Sequence, residues 1–373
     1  MKYGLYIHIP FCLKKCLYCD FASVCADDEL VFAYFRALNK ELAAYSGKTI
    51  DSVFIGGGTP SCVDAQYIYG IFDTINRCMS LERGCEISIE TNPGTIDKSK
   101  LALYKSCGIN RISIGVQSFN DKELAALGRI HNAKQAADAV CLAHNVGFDN
   151  VNIDLMLATP YQTPDSLCAT LKRAVSLSPS HASAYSLIIE PDTPFYTLLK
   201  NDRSSLPDED TERAMYDFAA DFLFANGYEQ YEISNFAADG ARCLHNLKYW
   251  RCMPYIGVGA AAHSYDTRCR YENVRDVAKY IDMMNSCGRA VSDEQILDKS
   301  DKITEYIIMA MRLTDGISFD NFRRRFDIDF LEKYGDVIDK YKKCGFLEVK
   351  KGAICFTREG FALSNSILCD FID

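Results

Sequence analysis

Three cysteines near the start of the chain stand at a spacing suited to metal chemistry. Cys12, Cys16 and Cys19 form a C-x3-C-x2-C triple in a loop that follows an apolar run ending at Ile9, and Tyr18 lies within it. Iron–sulfur cubanes are commonly held by four thiolates, so three thiolates leave one iron open to a small-molecule ligand. The chain has 17 cysteines, so close pairs are expected by chance. A triple that follows a strand and surrounds an aromatic residue is harder to obtain by chance and favours a [4Fe–4S] site.

The elements that must position this loop are predicted from hydrophobic periodicity. Apolar, β-branched runs alternate with segments of helical periodicity through the first half of the chain. This alternation indicates parallel βαβ units, which build an α/β fold with a partial (β/α)6 TIM-like barrel or an open wound sheet. Barrel enzymes place their chemistry at the C-terminal ends of the strands. The predicted strands are 3–9, 50–55, 85–90, 111–116, 150–156 and 182–189, and the predicted helices are 29–45, 65–79, 98–107, 133–145 and 164–177.

Glycines and polar side chains stand at the ends of these strands. The second ends in Gly56-Gly57-Gly58-Thr59-Pro60, where glycine lets a ligand approach the main chain closely. Glu90, Gln117 and Asp154 stand at or near the ends of the next three, and Arg129 offers a guanidinium fork to a carboxylate. Each alone could be a satisfied structural group. Together with the cysteines on one edge, they favour a ligand pocket.

Composition narrows the class of protein. A length of 373 residues predicts two or three domains, and 48% hydrophobic with 24% charged residues is ordinary for a globular protein. The formal charge of −9 argues against a general nucleic-acid binder. No apolar run is long enough for a membrane span, and the early first strand predicts no leader peptide. Scattered cysteines, odd in number, fit a reducing compartment, so we expect a cytoplasmic protein.

The cysteine triple, the glycine run and the polar strand ends resemble the radical S-adenosylmethionine (SAM) superfamily. The most similar branch contains the oxygen-independent coproporphyrinogen III oxidases or dehydrogenases (HemN-related) and the HemW-type haem chaperones. The resemblance implies a partial (β/α)6 barrel and a [4Fe–4S] cluster whose open iron binds the methionine end of SAM. One electron then cleaves SAM to methionine and a 5′-deoxyadenosyl radical. The resemblance covers nearly the whole chain. The matching segments are Tyr6-Ile7-His8-Ile9-Pro10-Phe11-Cys12 and residues 54–61, 89–94, 112–119 and 152–155.

By position, the resemblance also implies a set of SAM contacts. It gives the glycine backbone to the amino-acid end of SAM, the carboxylates to the ribose hydroxyls and Arg129 to the SAM carboxylate. One segment departs from the family pattern Gly-Leu-Pro-Gly-Gln-Thr, because this chain has Ala158-Thr159-Pro160-Tyr161-Gln162-Thr163. The loss of both glycines predicts a differently shaped loop there. The implied SAM residues are Tyr6, Tyr18, Gly57, Gly58, Thr59, Glu90, Gln117, Arg129 and Asp154.

One position separates the two similar branches. The dehydrogenases resemble C-x3-C-x2-C-x-C, whereas this chain has Phe21 two residues after Cys19, the pattern of the chaperones, and Cys25 is out of register. The main prediction is therefore a haem-binding protein that passes haem to a haem-dependent acceptor. A one-electron donor and a homodimer are further expectations. The alternatives are an oxidoreductase that abstracts hydrogen from the propionates of coproporphyrinogen III and a radical SAM methyltransferase.

A second candidate site is His245-Asn246-Leu247-Lys248-Tyr249-Trp250, which contains the only tryptophan. The segment resembles a family motif linked to haem binding, which makes His245 the predicted haem ligand. An aromatic patch with a hydrogen-bonded histidine is the other interpretation. His263 is a weaker ligand candidate, and His8 and His131 fit strand-end packing better. Met253 and Cys252 offer soft ligands, but packing explains them as well.

The C-terminal part changes character. Helices are predicted over 302–312, 319–326 and 330–344, followed by a hairpin turning at Lys351-Gly352, which together indicate a winged-helix-like module. From Asp301 onward, 12 Lys and Arg against 13 Asp and Glu give −1, a poor footprint for phosphate binding. Arg323-Arg324-Arg325 is interpreted as a solvated face. The predicted domains are residues 1–285, a barrel (core about 1–200) with a sheet extension, and residues 292–373, a HemN-type winged-helix-like module.

Overall fold

The computed structural model describes residues 1–200 and 202–372. None of the helices in these ranges combines the length and the apolar character needed to cross a membrane. The strands are β1 Lys2–Ile9, β2 Thr49–Gly57, β3 Ser80–Thr91, β4 Arg111–Gln117, β5 Asn150–Leu157, β6 His181–Ser186, β7 Glu229–Gln230, β8 Asn235–Ala237, β9 Tyr255–Val258, β10 His263–Tyr265, β11 Cys269–Asn273, β12 Val291–Ile296, β13 Ile317–Ser318, β14 Leu347–Lys350 and β15 Ala353–Phe356.

The α-helices of the same ranges begin and end close to the bounds predicted from periodicity, and a short 3-10 turn covers Pro60–Cys62. They are α1 Asp28–Ala44, α2 Ala65–Cys78, α3 Lys98–Ser106, α4 Asp121–Ala126, α5 Ala133–Val146, α6 Pro164–Ser176, α7 Pro194–Leu199, α8 Glu209–Ala225, α9 Leu244–Trp250, α10 Val277–Ser286, α11 Lys299–Ala310, α12 Phe319–Phe326, α13 Phe330–Lys343, α14 Arg358–Ala362 and α15 Ser364–Cys369.

Local capping fixes where several of these helices begin and end. The Asp27 side chain accepts a hydrogen bond from the Leu30 N–H and starts α1. At α5, Asn132 and Gln135 form a reciprocal capping box, and Gly147 ends the helix with a φ of +93°. Such caps satisfy main-chain groups that have no partner inside the helix.

Strands β1 to β6 are neighbours in sequence order and run parallel, with helices between them. Every residue of β4 is buried, as expected for a strand covered on both faces. The predicted α/β fold is confirmed. The sixth strand ends at Ser186 rather than at residue 189, because its partner β5 ends opposite it at Leu157. Parallel pairing brings the C-terminal ends of these strands to one edge of the sheet.

Further strands extend this sheet on both sides. Strand β9 pairs parallel to the free edge of β1, and β10, β11 and β12 follow antiparallel. On the other side, β8 and β7 pair antiparallel next to β6. The open sheet has the order β12-β11-β10-β9-β1-β2-β3-β4-β5-β6-β8-β7.

The C-terminal part builds a second hydrophobic cluster. Helices α11, α12 and α13 and the small sheet β13-β15-β14 surround Phe322, and the hairpin turns at Lys351 and Gly352, both with positive φ. The predicted helices and hairpin are confirmed. Tyr255 and Tyr265 of the large sheet belong to the same cluster, so α11 and α12 pack against that sheet. The division into residues 1–285 and 292–373 stays a prediction.

The three arginines of α12 are all exposed, as expected of a solvated face, and Arg325 also makes long-range contacts. Arg325 donates hydrogen bonds to Arg251 O at 2.9 Å and to Cys252 O at 2.7 Å. Its guanidinium also lies over the Tyr306 ring, 4.9 Å from the centroid. Arg325 is exposed like its two neighbours, and long-range packing also brings main-chain acceptors to its guanidinium.

Candidate functional site

The cysteine loop leaves the C-terminal end of β1 and is held by main-chain hydrogen bonds. The Cys12 N–H donates to Val24 O at 3.0 Å, and the Leu17 N–H donates to Leu127 O at 3.2 Å. The first bond ties the start of the triple to the segment that leads into α1. The second ties its middle to the end of α4. The fold itself therefore determines the path of the loop.

The three cysteines of the triple, Cys12, Cys16 and Cys19, are half-buried, and none forms a disulfide. Burial raises the pKa of Cys12 and of Cys19, and the nearby Cys16 sulfur raises both further. The three thiols therefore share one small region. No three His, Cys, Asp or Glu side chains of residues 1–200 and 202–372 surround a single ion position. A cubane binds its thiolates through separate irons, which three neighbouring thiols can supply.

Gly57 and Gly58 lie too close to the cysteine loop for any side chain. A Cβ on Gly57, whose φ is +114°, would lie 2.7 Å from the His8 ring. A Cβ on Gly58 would lie 2.7 Å from Phe11 O and 3.0 Å from the Cys12 sulfur. The end of β2 is therefore in direct contact with the proposed cluster ligand, and only glycine allows this approach.

Glu90 and Asp154 place two carboxylates next to the glycines at the end of β2. Glu90 accepts a hydrogen bond from the Gly57 N–H at 3.1 Å, and Asp154 accepts from the Asn152 amide at 2.8 Å. Burial and the negative charge of Asp154 raise the pKa of Glu90 to about 8. Burial also raises the pKa of Asp154, against the effect of its hydrogen bonds from Asn152, Ser183 and Ser113. Buried carboxylates are stabilised by hydroxyl donors, which fits the predicted ribose contacts.

Arg129 connects the cysteine loop to the ends of β3 and β4. Its Nη2 donates to Asn92 Oδ1 at 2.6 Å and to Gly115 O at 2.7 Å. Its Nη1 lies 3.4 Å from the Cys16 sulfur and 3.5 Å from the Tyr18 hydroxyl. No carboxylate of the described residues is among the groups that perturb this guanidinium. Its charge is therefore available to a ligand carboxylate, the role predicted for it.

The remaining predicted residues join this group through short contacts. The Thr59 hydroxyl lies 3.5 Å from the Cys12 sulfur. The Tyr6 hydroxyl lies 3.0 Å from His8 Nδ1, and the charge of Glu90 contributes to raising the Tyr6 pKa after burial. Gln117 ends β4 with a φ of +66°. The structure thus brings the nine residues of the predicted SAM set together around the C-terminal edge of the parallel strands.

Sequence reasoning missed Tyr185 and Asn92. The Tyr185 hydroxyl donates to Gln117 Oε1 at 3.3 Å, and the charges of Asp154, Tyr18 and Arg129 all act on it. Asn92 donates to the Thr59 hydroxyl at 2.8 Å while accepting from Arg129. An aromatic residue near the end of the sixth strand and an amide after the third were the available signals.

The segment that lacks the family glycines keeps a backbone that glycine would favour. Ala158 has a φ of +55° and Tyr161 a φ of +66°. Non-glycine residues in this region cost about 1–2 kcal/mol each. These two residues adopt angles that glycine would favour, and the expectation of a differently shaped loop stays a prediction. Gln162 in this loop donates to Glu123 at 3.1 Å, which ties the loop to α4.

His245, in the first turn of α9, is fully buried against β2. Its Nδ1 lies 3.0 Å from the Ser52 hydroxyl and its Nε2 lies 2.9 Å from the Tyr249 hydroxyl, while its ring stacks on Phe54. Burial, followed by the positive charge of Lys248, lowers the His245 pKa to about 3. Both ring nitrogens are engaged, so haem ligation by His245 requires release of these bonds. That role stays a prediction.

The three other candidate histidines, His8, His131 and His263, contact main-chain or charged groups. His8 Nε2 lies 2.8 Å from Ala22 O, and His131 Nε2 lies 3.1 Å from Val116 O. His263 is exposed and lies 3.2 Å from Glu272.

A cavity of about 460 Å³ opens beside the cysteine loop, lined by Tyr6, His8, Phe21, Tyr249, His263 and Arg275 among others. Phe21, where the dehydrogenases have a fourth cysteine, thus lies on a cavity wall.

Known proteins resemble this chain over almost its full length. Residues 6–174 match the Radical SAM superfamily, and residues 297–363 match the HemN C-terminal domain. The chain is 35% identical to Heme chaperone HemW of Bacillus subtilis over 372 residues, which is 98% of each protein. It is 36% identical to Heme chaperone HemW of Escherichia coli over 318 residues, 84% of this chain and 83% of that protein.

A solved structure shares the fold. Coproporphyrinogen III oxidase (HemN) from Escherichia coli, a radical SAM enzyme, matches with a TM-score of 0.87 over 99% of this chain and 90% of that one. Its sequence identity is 24%, so this likeness concerns the fold alone. The full-length matches above 30% identity decide the family: the chain belongs to the HemW family within the radical SAM superfamily.

Proposed function

We propose that this protein is a haem chaperone, which binds haem, a [4Fe–4S] cluster and SAM and transfers the haem to haem-dependent proteins. The observation that carries the proposal is Phe21, the residue two positions after the third cysteine of the triple. Phe21 is 64% exposed beside the cysteine loop, so no fourth thiol is offered there. The identity to heme chaperones over nearly the whole chain supports the same function.

Cys12, Cys16 and Cys19 would hold the cluster, which supplies one-electron reduction of SAM when bound. The chain's own residues prepare the place for SAM. Gly57 and Gly58 expose main-chain groups because they carry no side chain. Arg129 presents a fixed guanidinium to a carboxylate, since Asn92 and Gly115 hold its other face.

Glu90 and Asp154 would hold the ribose hydroxyls. Both carboxyl groups are buried, and both have a raised pKa. Binding a diol would replace the water that these groups lose on folding with hydroxyl donors. The two acids would thereby orient SAM along the edge of β3 to β5.

We further propose a one-electron donor, a haem-accepting protein and a homodimer as partners, and a cytoplasmic location. The cysteines support the location, since all are free and disulfides are rare in reducing compartments. Haem release to another protein requires a binding site that is reversible on the time scale of protein encounters.

A coproporphyrinogen III oxidase is the alternative favoured by the shared fold. Such an enzyme must take a hydrogen atom from a propionate side chain of its substrate. Phe21 argues against the oxidase function, since the branch with that activity resembles C-x3-C-x2-C-x-C, whereas this chain has Phe21 in place of the fourth cysteine.

Haem and coproporphyrinogen III, tested side by side on anaerobically reconstituted protein, separate the two functions. We expect a saturable shift of the Soret band with haem and recovery of haem by apomyoglobin at a rate different from that of free haem. With coproporphyrinogen III, SAM and a reductant, we expect no decarboxylated product by chromatography. Turnover of the porphyrinogen, or the absence of saturable haem binding, would overturn the proposal.

A further inference from the structure

Cys25 lies beside the first cysteine of the triple, although it stands outside the C-x3-C-x2-C spacing. Phe11 and Val24 pair as an isolated parallel bridge. The hydrogen bonds of this bridge run from the Cys12 N–H to Val24 O at 3.0 Å and from the Val24 N–H to Pro10 O at 2.7 Å. Cys12 and Cys25 are the residues that directly follow the two bridge partners. They are therefore side by side on neighbouring segments of the chain.

The main-chain spacing of such a pair suits a disulfide. Segments that are hydrogen-bonded as neighbouring strands lie about 4.8 Å apart. The two Cα atoms of a disulfide are usually separated by about 4.4 to 6.8 Å. Cys12 and Cys25 thus meet this distance requirement in the path that the chain already takes.

The two side chains approach each other as well. The Cys25 Sγ lies 3.6 Å from the carbonyl oxygen of Leu13, the residue after Cys12. Burial raises the pKa of Cys12, and the charges of Cys16 and Cys25 raise it further, an effect that weakens with distance. Cys25 is exposed, whereas Cys12 is half-buried. An oxidant from solvent therefore meets Cys25 first.

We propose that Cys25 is a modification site: in the cluster-free protein, a peroxide oxidises its thiol, which then forms a reversible disulfide with Cys12. The Cys25 sulfur takes one oxygen atom from hydrogen peroxide and becomes a sulfenic acid, and the first water leaves. The Cys12 thiol attacks that sulfur, so that the S–S bond forms, the S–O bond breaks and a second water leaves. Two thiols are oxidised to one disulfide, and one peroxide is reduced to two waters.

The disulfide would change what the loop can bind. Cys12 is one of the three ligands of the proposed cluster, so the inference rests on that part of the proposed function. While Cys12 is bonded to Cys25, only Cys16 and Cys19 remain, and two thiolates hold a cubane too weakly. The oxidised protein therefore stays free of the cluster until a dithiol opens the bond by thiol–disulfide exchange. The bond also protects Cys12 from oxidation to the sulfinic acid, which thiols do not reverse.

Other sulfurs near the loop are the competing partners. Cys16 and Cys19 are the ends of a turn in which the Cys19 N–H donates to Cys16 O at 3.3 Å. Cys62, at the end of the 3-10 turn after β2, interacts electrostatically with Cys12. These three thiols are half-buried, so Cys25 is the exposed thiol of the group. Exposure favours Cys25 as the sulfur that reacts first.

Peptide mapping of the full-length, cluster-free protein after treatment with hydrogen peroxide tests the pairing. Free thiols are alkylated, and the protein is digested with trypsin and with a protease that cleaves before aspartate. Cys12 then lies in the peptide 3–14, Cys25 in 20–26, and Cys16 and Cys19 together in 16–19. We expect peptides 3–14 and 20–26 to be joined and to separate with dithiothreitol. Absence of this pair, or Cys12 joined instead to 16–19 or to the peptide of Cys62, would overturn the proposal.

Two serine variants identify the reacting thiol. Cys25→Ser removes the proposed partner and should abolish the joined peptides. Cys141→Ser removes an exposed thiol in α5 and is the matched control, which should keep them. Neither variant changes a predicted cluster ligand, so both should take up iron normally before oxidation. Circular dichroism shows whether each variant is folded.

Iron uptake separates this inference from the proposed cluster. Oxidised wild-type protein should lose iron uptake during anaerobic reconstitution without a thiol reductant and regain it after dithiothreitol. This reversible loss should be smaller in oxidised Cys25→Ser, and an equal loss in both proteins would overturn the proposed block. If the protein takes up no iron even before oxidation, the proposed cluster fails, whereas the joined peptides still establish the disulfide.

Discussion

The Glu90 carboxylate accepts a hydrogen bond from the Gly57 N–H at 3.1 Å, and this bond links β3 to the end of β2, which contacts the cysteine loop. The same carboxyl group is buried close to the charge of Asp154, and together these raise the Glu90 pKa to about 8. A position that supports the loop is therefore also sensitive to pH.

Glu90→Gln should change the pH dependence of stability in the protein without SAM. In the unfolded chain Glu90 ionises near its usual pKa of about 4.3, but in the folded protein only near 8. The wild-type stabilisation from this group is therefore complete below the lower value and is lost as pH rises through the higher one. The loss is at most about 5 kcal/mol. Urea unfolding between these pH values should show a shallower decline in the variant. Parallel declines would contradict the assignment.

Cys12→Ser should abolish cluster assembly, because the remaining two thiolates hold a cubane too weakly. Iron and sulfide analysis after anaerobic reconstitution measures this. Cys25→Ser is the matched control: it removes a nearby exposed thiol that is out of register with the triple, and should retain iron. Equal iron content in both variants would remove the basis for the cluster assignment.

Gly58→Ala should also prevent cluster assembly, although it removes no ligand. Its Cβ would lie 2.7 Å from Phe11 O and 3.0 Å from the Cys12 sulfur, so the loop must move. Gly70→Ala in α2 meets no atom within 4 Å and should keep its iron. In a helix interior it should add about 0.5–1 kcal/mol of stability. Normal iron content in Gly58→Ala would show that the close approach is unimportant.

His245→Gln separates a structural role from haem ligation. Loss of two buried hydrogen bonds should cost about 2–3 kcal/mol in the free energy of unfolding. The His245 pKa is lowered to about 3, so its stabilisation is present above the usual value and is lost as pH falls. Acid sensitivity below about pH 6.5 should therefore decrease in the variant. Because the motif predicts His245 as the haem ligand, we expect the Soret band of the haem complex to change in the variant; an unchanged band would limit His245 to its structural role.

The sequence by itself determined the fold class, the cysteine triple and most of the residues around it. Alternating strands and helices predict parallel strands, and parallel strands carry the residues that follow them to a common edge. This is why Glu90, Gln117 and Asp154, far apart in the chain, were expected together and are found in one network.

Only the tertiary structure decided the state of those groups. The raised pKa of Glu90 depends first on its burial and then on the charge of Asp154, and His245 contacts Ser52, which lies 193 residues away. The positive φ of Ala158 and of Tyr161 is likewise imposed by the fold, since residues other than glycine rarely adopt it by themselves. Periodicity and spacing report local preference, whereas burial, charge proximity and cavities arise from contacts between distant segments. A cavity lined by Lys2, Met253 and Phe326 among others is such a case, because its walls come from elements that meet only in the folded protein.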